Sequence, residues 1–121
     1  MWVKAYKLLR ANMTSINGDI DYTIKYIIGE SHIPKKNTLG LFVFDTLENA
    51  IKYNQDGRYY FDIYECVVEE PYKAPTISDV TIGSISLYYD SNRQGSRFTK
   101  YMRPPQGTLL TQQLILLNKV Q

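Results

Sequence analysis

At 121 residues, 44% hydrophobic and 21% charged, the chain has the size and composition of one globular domain with its own core, needing neither disulfides nor a structural metal. The lone cysteine, Cys66, excludes an internal disulfide and a multi-cysteine zinc site; with no apolar run fit for a membrane span or signal peptide, a soluble cytoplasmic protein is expected. The net charge of +2 hides an asymmetry: residues 1–90 hold nine basic and twelve acidic side chains, whereas residues 91–121 hold five basic and none acidic.

Taken in chain order, Trp2 to Arg10 reads as a first strand and Ala11 to Ser15 as a bend. Asn17-Gly18, within Ile16-Asn17-Gly18-Asp19, is a tight-turn signal because both residues tolerate positive φ. Ile20 to Glu30, rich in Ile, Tyr and Thr, is expected to be a strand. Ser31 to Thr38, with Pro34, reads as an exposed loop, and Leu39 to Phe44 as a short buried strand. Asp45 with Glu48 three residues on has capping-box spacing and opens a helix over about residues 46–54. Leu47, Ala50 and Ile51 form its buried stripe, and Asp56-Gly57 stops it.

Arg58 to Glu69 follows as a strand, and Pro71 and Pro75 bracket a connection. Thr76 to Tyr89 holds one long or two short strands, with Gly83 as a bulge candidate. Asp90 to Gly95 is turn-rich, Ser96 to Arg103 fits a strand, and Pro104-Pro105-Gln106-Gly107 breaks it. Thr108 to Gln121 reads as a C-terminal helix with Leu109, Leu110, Leu114, Leu116, Leu117 and Val120 on a face of roughly 160°. A final strand remains an alternative, since Leu-Ile-Leu-Leu has no decisive period. The sum is an α+β domain: mostly antiparallel sheet with a central helix and a C-terminal helix over about residues 108–121. The leucine face also fits a contact between copies of the chain.

Conventional catalytic residues are hard to assemble. His32, the only histidine, has no evident acid or nucleophile partner and reads as a surface residue. Cys66 lies in an alternating strand beside Glu65, which opposes a reactive thiolate. Asp19 with Asp21, and Glu69 with Glu70, read as solvated edge charges rather than a metal or glycosidase pair. No phosphate-binding glycine loop is present. No catalytic residue, metal ligand or cofactor is therefore assigned.

The segment Asn92–Arg103 is different in kind. If Ser96–Arg103 is extended, Arg97, Thr99, Tyr101 and Arg103 share one face. Guanidinium grips phosphate oxygens, and Phe98 or Tyr101 offers a stacking face for a base. Asn92, Arg93, Arg97, Phe98, Tyr101 and Arg103 are the candidate ligand-binding residues. Four basic residues here are too few for a duplex nucleic-acid binder and suit one pyrophosphate-sized ligand.

Two resemblances rest on these residues. Ala5-Tyr6-Lys7, Asn12-Met13-Thr14, Tyr26, Gly40-Leu41-Phe42-Val43-Phe44, the helix Leu47–Tyr53 and Arg58-Tyr59-Tyr60-Phe61 resemble, over roughly residues 4–85, a group of small phage and prophage proteins. The chain's size, its α+β pattern and its basic, aromatic C-terminal segment resemble the phage anti-Thoeris family, which sequesters cyclic ADP-ribose-type immune signals without cleaving them. That resemblance implies a homo-oligomer with ligand pockets between subunits, Arg97 and Arg103 on the pyrophosphate, Phe98 on adenine and Asn92 at a ribose or base edge. Trp2 and Tyr6 are weaker candidates. The rival expectations are an inhibitor or adaptor docking a host protein through a Tyr-rich surface, and a small ADP-ribosyl-processing enzyme using Glu65, Glu69 or Glu70.

Overall fold

A computed structural model describes residues 1–16, 24–35, 40–73, 77–78, 101–102 and 106–121, the two short pairs 77–78 and 101–102 by their backbone alone. The strands are β1 (Trp2–Leu9), β2 (Ser31–His32), β3 (Leu41–Phe44), β4 (Asp62–Glu69), β5 (Tyr72–Lys73), β6 (Ile77–Ser78), β7 (Tyr101–Met102), β8 (Thr108–Thr111) and β9 (Leu114–Lys119); the helix is α1 (Leu47–Asp56). The main sheet is antiparallel, in the order β2-β9-β4-β1-β3-β8-β5, and β6 pairs with β7 separately.

The mostly antiparallel α+β reading holds, but residues 108–121 are not a helix. Thr108–Thr111 pairs with β3 and Leu114–Lys119 with β4. Leu110, Leu114 and Leu116 are fully buried, while Leu117 is exposed. Open edges of β3 and β4 supply the hydrogen-bond partners that an ambiguous leucine run lacked in isolation, so tertiary pairing overrides helical propensity. Leu110, Leu114 and Leu116 thus serve the chain's own core.

The connection between these two strands reveals the shape of the sheet. β8 and β9 lie four strand spacings apart in the sheet order, which is about 19 Å on a flat sheet. Thr111 to Leu114 can stretch only about 11 Å. The sheet therefore curls toward closure, and the Thr111 hydroxyl donates to the Glu69 carbonyl at 2.8 Å across that end. Ala5, Leu9, Leu41, Val43, Cys66, Val68, Leu114 and Leu116 fill the concave side, with Tyr26 packed among them. On the other face Leu8, Ile63 and Phe44 bury against Ala50, with Leu47, Ile51 and Tyr53 around them. β1, covered on both faces, is consequently buried at nearly every position from Ala5 to Leu9.

Four further boundaries differ from the sequence reading. The described part of Ile20–Glu30 is irregular, with one isolated bridge, Thr14 to Lys25; Tyr26 leaves any ladder to plug the core. Ser31–His32 pairs with β9 rather than lying in a free loop, and half-buried His32 packs its ring 4.8 Å from that of Tyr26. Thr46, not Asp45, caps α1: its hydroxyl accepts from the Asn49 amide at 3.1 Å, while Asp45 accepts from the Asn49 side chain at 2.8 Å. Finally, β4 starts at Asp62, and Arg58–Phe61 form a connection. The turn expected at Asn17-Gly18 and most of Thr76–Arg103 lie outside the described residues.

Candidate ligand hollow at the end of the helix

The C-terminal turn of α1 and the connection after it are built around stacked rings. Phe44, Tyr53, Tyr59 and Phe61 form a chain with successive centroid distances of 5.4, 5.3 and 4.9 Å. Phe44 anchors it in the core, and Tyr59 brings it to the surface. Asn54 holds the connection in place: its amide donates to the Phe61 carbonyl at 2.9 Å and accepts from the Phe61 N–H at 3.3 Å.

Gly57 is required here because the Tyr59 ring lies directly over it; a Cβ would meet Tyr59 Cε2. Gly57 itself keeps an ordinary φ of −86°, and the left-handed conformation falls one residue later, on Arg58 at φ +55°. A non-glycine residue there costs roughly 1–2 kcal/mol.

Tyr59 separates two open hollows. The first, of about 330 Å³, is lined by Asn49, Lys52, Tyr53, Asp56, Gly57, Tyr59 and Gln106. Burial, and then the neighbouring Tyr59, push the Tyr53 phenol up to about 12, so it stays a neutral hydrogen-bonding group. Lys52 reaches Asp56 at 3.2 Å, an exposed pair that contributes little to stability. The exposed edge of the Tyr59 ring, the amides Asn49 and Gln106, and the Lys52 ammonium can receive a flat polar ring, with the amides hydrogen-bonding its edge.

Of the residues singled out by sequence, Asn92, Arg93, Arg97, Phe98 and Arg103 lie outside the described residues. Tyr101 is placed by its backbone, opposite Ser78 in the small β6–β7 pair. Gln106, which lines the hollow, follows Arg103-Pro104-Pro105 directly in the sequence. Sequence reasoning missed Tyr53 and Tyr59. The available signal was the aromatic run around Arg58, which read as strand because Tyr-Tyr-Phe favours strands as readily as exposed connections.

The other sequence candidates make contacts within the fold or lie at its surface. Burial pushes the Cys66 thiol up to about 12, opposed in part by Lys7, which leaves it a poor nucleophile. His32 Nε2 sits 3.1 Å from the Ile27 amide nitrogen and 3.3 Å from its carbonyl, which ties down the 27–32 turn. Glu65 lies 3.7 Å from Lys4, and Glu69 accepts from the Met1 amine at 2.6 Å. Trp2 is exposed, while Tyr6 packs half-buried on the helix side. Among the described residues no three metal-ligating side chains converge, and no helix is long and apolar enough to cross a membrane.

One buried charge has no counterpart in the sequence reading. Lys7 is 3% exposed, donates to the Phe42 carbonyl at 2.7 Å and lies 5.4 Å from the Tyr26 ring centroid. Burial lowers its ammonium to about 8, with the nearby Cys66 opposing the shift. Burial likewise raises the Tyr26 phenol, whose hydroxyl sits beside Ser15 without a hydrogen bond in suitable geometry. Comparison with known proteins finds no matching protein family, no matching curated protein and no matching solved structure.

Proposed function

We propose that the chain is a non-catalytic, phage-type anti-defence protein that captures a cyclic ADP-ribose-type nucleotide in the host cytoplasm. The observation that supports this reading is a hollow lined by the Tyr53 and Tyr59 rings, Asn49, Lys52 and Gln106; Gln106 stands three residues after Arg103 in the sequence. In this reading the adenine packs against the exposed edge of Tyr59, Asn49 and Gln106 meet its polar edge, and Arg97 and Arg103 take the pyrophosphate with Phe98 or Tyr101 on the base. Asn92 and Arg93 supply further polar contacts from the same segment. Assembly of several copies, implied by the anti-Thoeris resemblance, belongs to this reading and is checked by sedimentation.

The test is to incubate the protein with cyclic ADP-ribose-type nucleotides, remove it from solution, denature it by heat and analyse what it releases. Intact ligand supports sequestration. Altered ligand supports the ADP-ribosyl-processing alternative and overturns the non-catalytic reading. Tyr59→Ala and Arg103→Ala should each weaken capture by about 10-fold or more. No depletion favours a host-protein inhibitor or adaptor. That reading draws support from a surface other than the tyrosines: Ile27, Ile28 and Ile33 are exposed around β2, the end strand of the sheet among the described residues.

A further inference from the structure

On the far side of Tyr59 lies a second open cleft, of about 580 Å³, whose walls include Gln55, Arg58, Tyr59, Tyr60, Asp62 and Gln121. We propose that this cleft binds an organic phosphate bearing a flat ring, with Arg58 on the phosphate and Tyr60 on the ring. The proposal rests on the cleft's own residues and stands whether or not the first hollow takes a cyclic nucleotide.

Arg58 occupies a left-handed backbone position after the helix end, where glycine or asparagine is the less strained choice. Its guanidinium makes no hydrogen bond or ion pair among the described residues. Both acids near it are engaged elsewhere, Asp56 with Lys52 at 3.2 Å and Asp62 with Lys119 at 3.2 Å. Arg58 thus combines a strained backbone with a guanidinium that meets no partner among the described residues, and a backbone outlier at a cleft motivates a functional hypothesis.

Beside it Tyr60 is 97% exposed. Asn54 pins the Phe61 backbone, and Tyr59 stacks on Phe61 at an interplanar angle of 26°, so Tyr60 is presented from a braced connection. A planar guanidinium beside an open phenol ring matches an anion with a flat ring, the guanidinium gripping two phosphate oxygens at once. Lys52 and Lys119 offset the charges of Asp56 and Asp62 at the edges of the site, which leaves the Arg58 guanidinium available to an anion. The cleft's volume lies within the range of small-molecule sites, roughly 300–1,000 Å³.

The test is an NMR titration of the full chain with ADP, following the Arg58 side-chain and Tyr60 ring signals, with adenosine and inorganic pyrophosphate as separate halves. ADP should shift both signals saturably, and each half should bind at least about 10-fold more weakly. Arg58→Gly should weaken ADP by about 10-fold or more while raising the melting temperature by roughly 2–6 °C, because glycine relieves the backbone. Tyr60→Ala should weaken ADP with the melting temperature unchanged. The proposal is overturned if ADP leaves the Arg58 and Tyr60 signals unmoved, if Arg58→Gly binds ADP as tightly as the parent, or if Arg58→Gly melts lower.

Discussion

Replacing Lys7 with methionine should make this protein more stable at neutral pH. The Lys7 ammonium is buried on the concave side of the curled sheet, and burial lowers it from 10.5 to about 8. The unfolded chain therefore binds the proton more tightly than the folded one. Below pH 8 both states are protonated, and the folded state bears the full penalty, about 3 kcal/mol for a shift of this size. Stability then rises with pH between about 8 and 10.5, because the unfolded state holds more protons there. Cys66 acts in the opposite sense: raised from 9.0 to about 12, it removes stability as pH climbs past 9. The parent should accordingly gain stability from pH 8 to about 9 and then level off or fall.

Lys7→Met removes the ammonium penalty and loses the bond to the Phe42 carbonyl, worth about 1 kcal/mol. The net gain at pH 7 is about 2 kcal/mol, and the difference from the parent should shrink steadily toward pH 10. Urea denaturation followed by circular dichroism at pH 7, 8, 9 and 10 measures both quantities. A variant less stable than the parent at pH 7, or a difference that does not change with pH, would refute the account of Lys7 as a desolvated cation.

Gly107→Ala should cost about 1–3 kcal/mol by thermal melting, because Gly107 holds φ +84° and a Cβ there would meet the Asn49 and Asp45 side chains. Thr46→Ala should cost about 1 kcal/mol and more than Asp45→Ala, since the threonine hydroxyl holds the Asn49 amide; the reverse order would return the cap to Asp45. Leu114→Asp should cost more than about 4 kcal/mol and unfold the chain, as expected for a charge placed at a fully buried position. A folded Leu114→Asp monomer dissociated from a larger parent assembly would mean that the leucine run lies at an interface after all.

Local signals sufficed for several elements. Asp62–Glu69 alternates, Trp2–Leu9 and Leu41–Phe44 are short β-favouring runs bounded by turn or loop residues, and Leu47–Asp56 carries a capping signal and the Leu47-Ala50-Ile51 stripe. Sequence also supplied the charge asymmetry and the aromatic run at Arg58-Tyr59-Tyr60-Phe61. Only the tertiary structure decided the rest. A run such as Leu-Ile-Leu-Leu satisfies helix and strand alike until the open edges of β3 and β4 are in place. Tyr26 leaves the strand pattern because the curled sheet encloses a space that a ring can fill, and that enclosure turns Lys7, an ordinary strand lysine by sequence, into a buried charge. The Tyr59 ring packs over Gly57, the left-handed residue is Arg58, and Arg58–Phe61 forms a connection instead of pairing as a strand. Curvature, edge pairing and ring contact join residues far apart in the chain, so no local pattern encodes them.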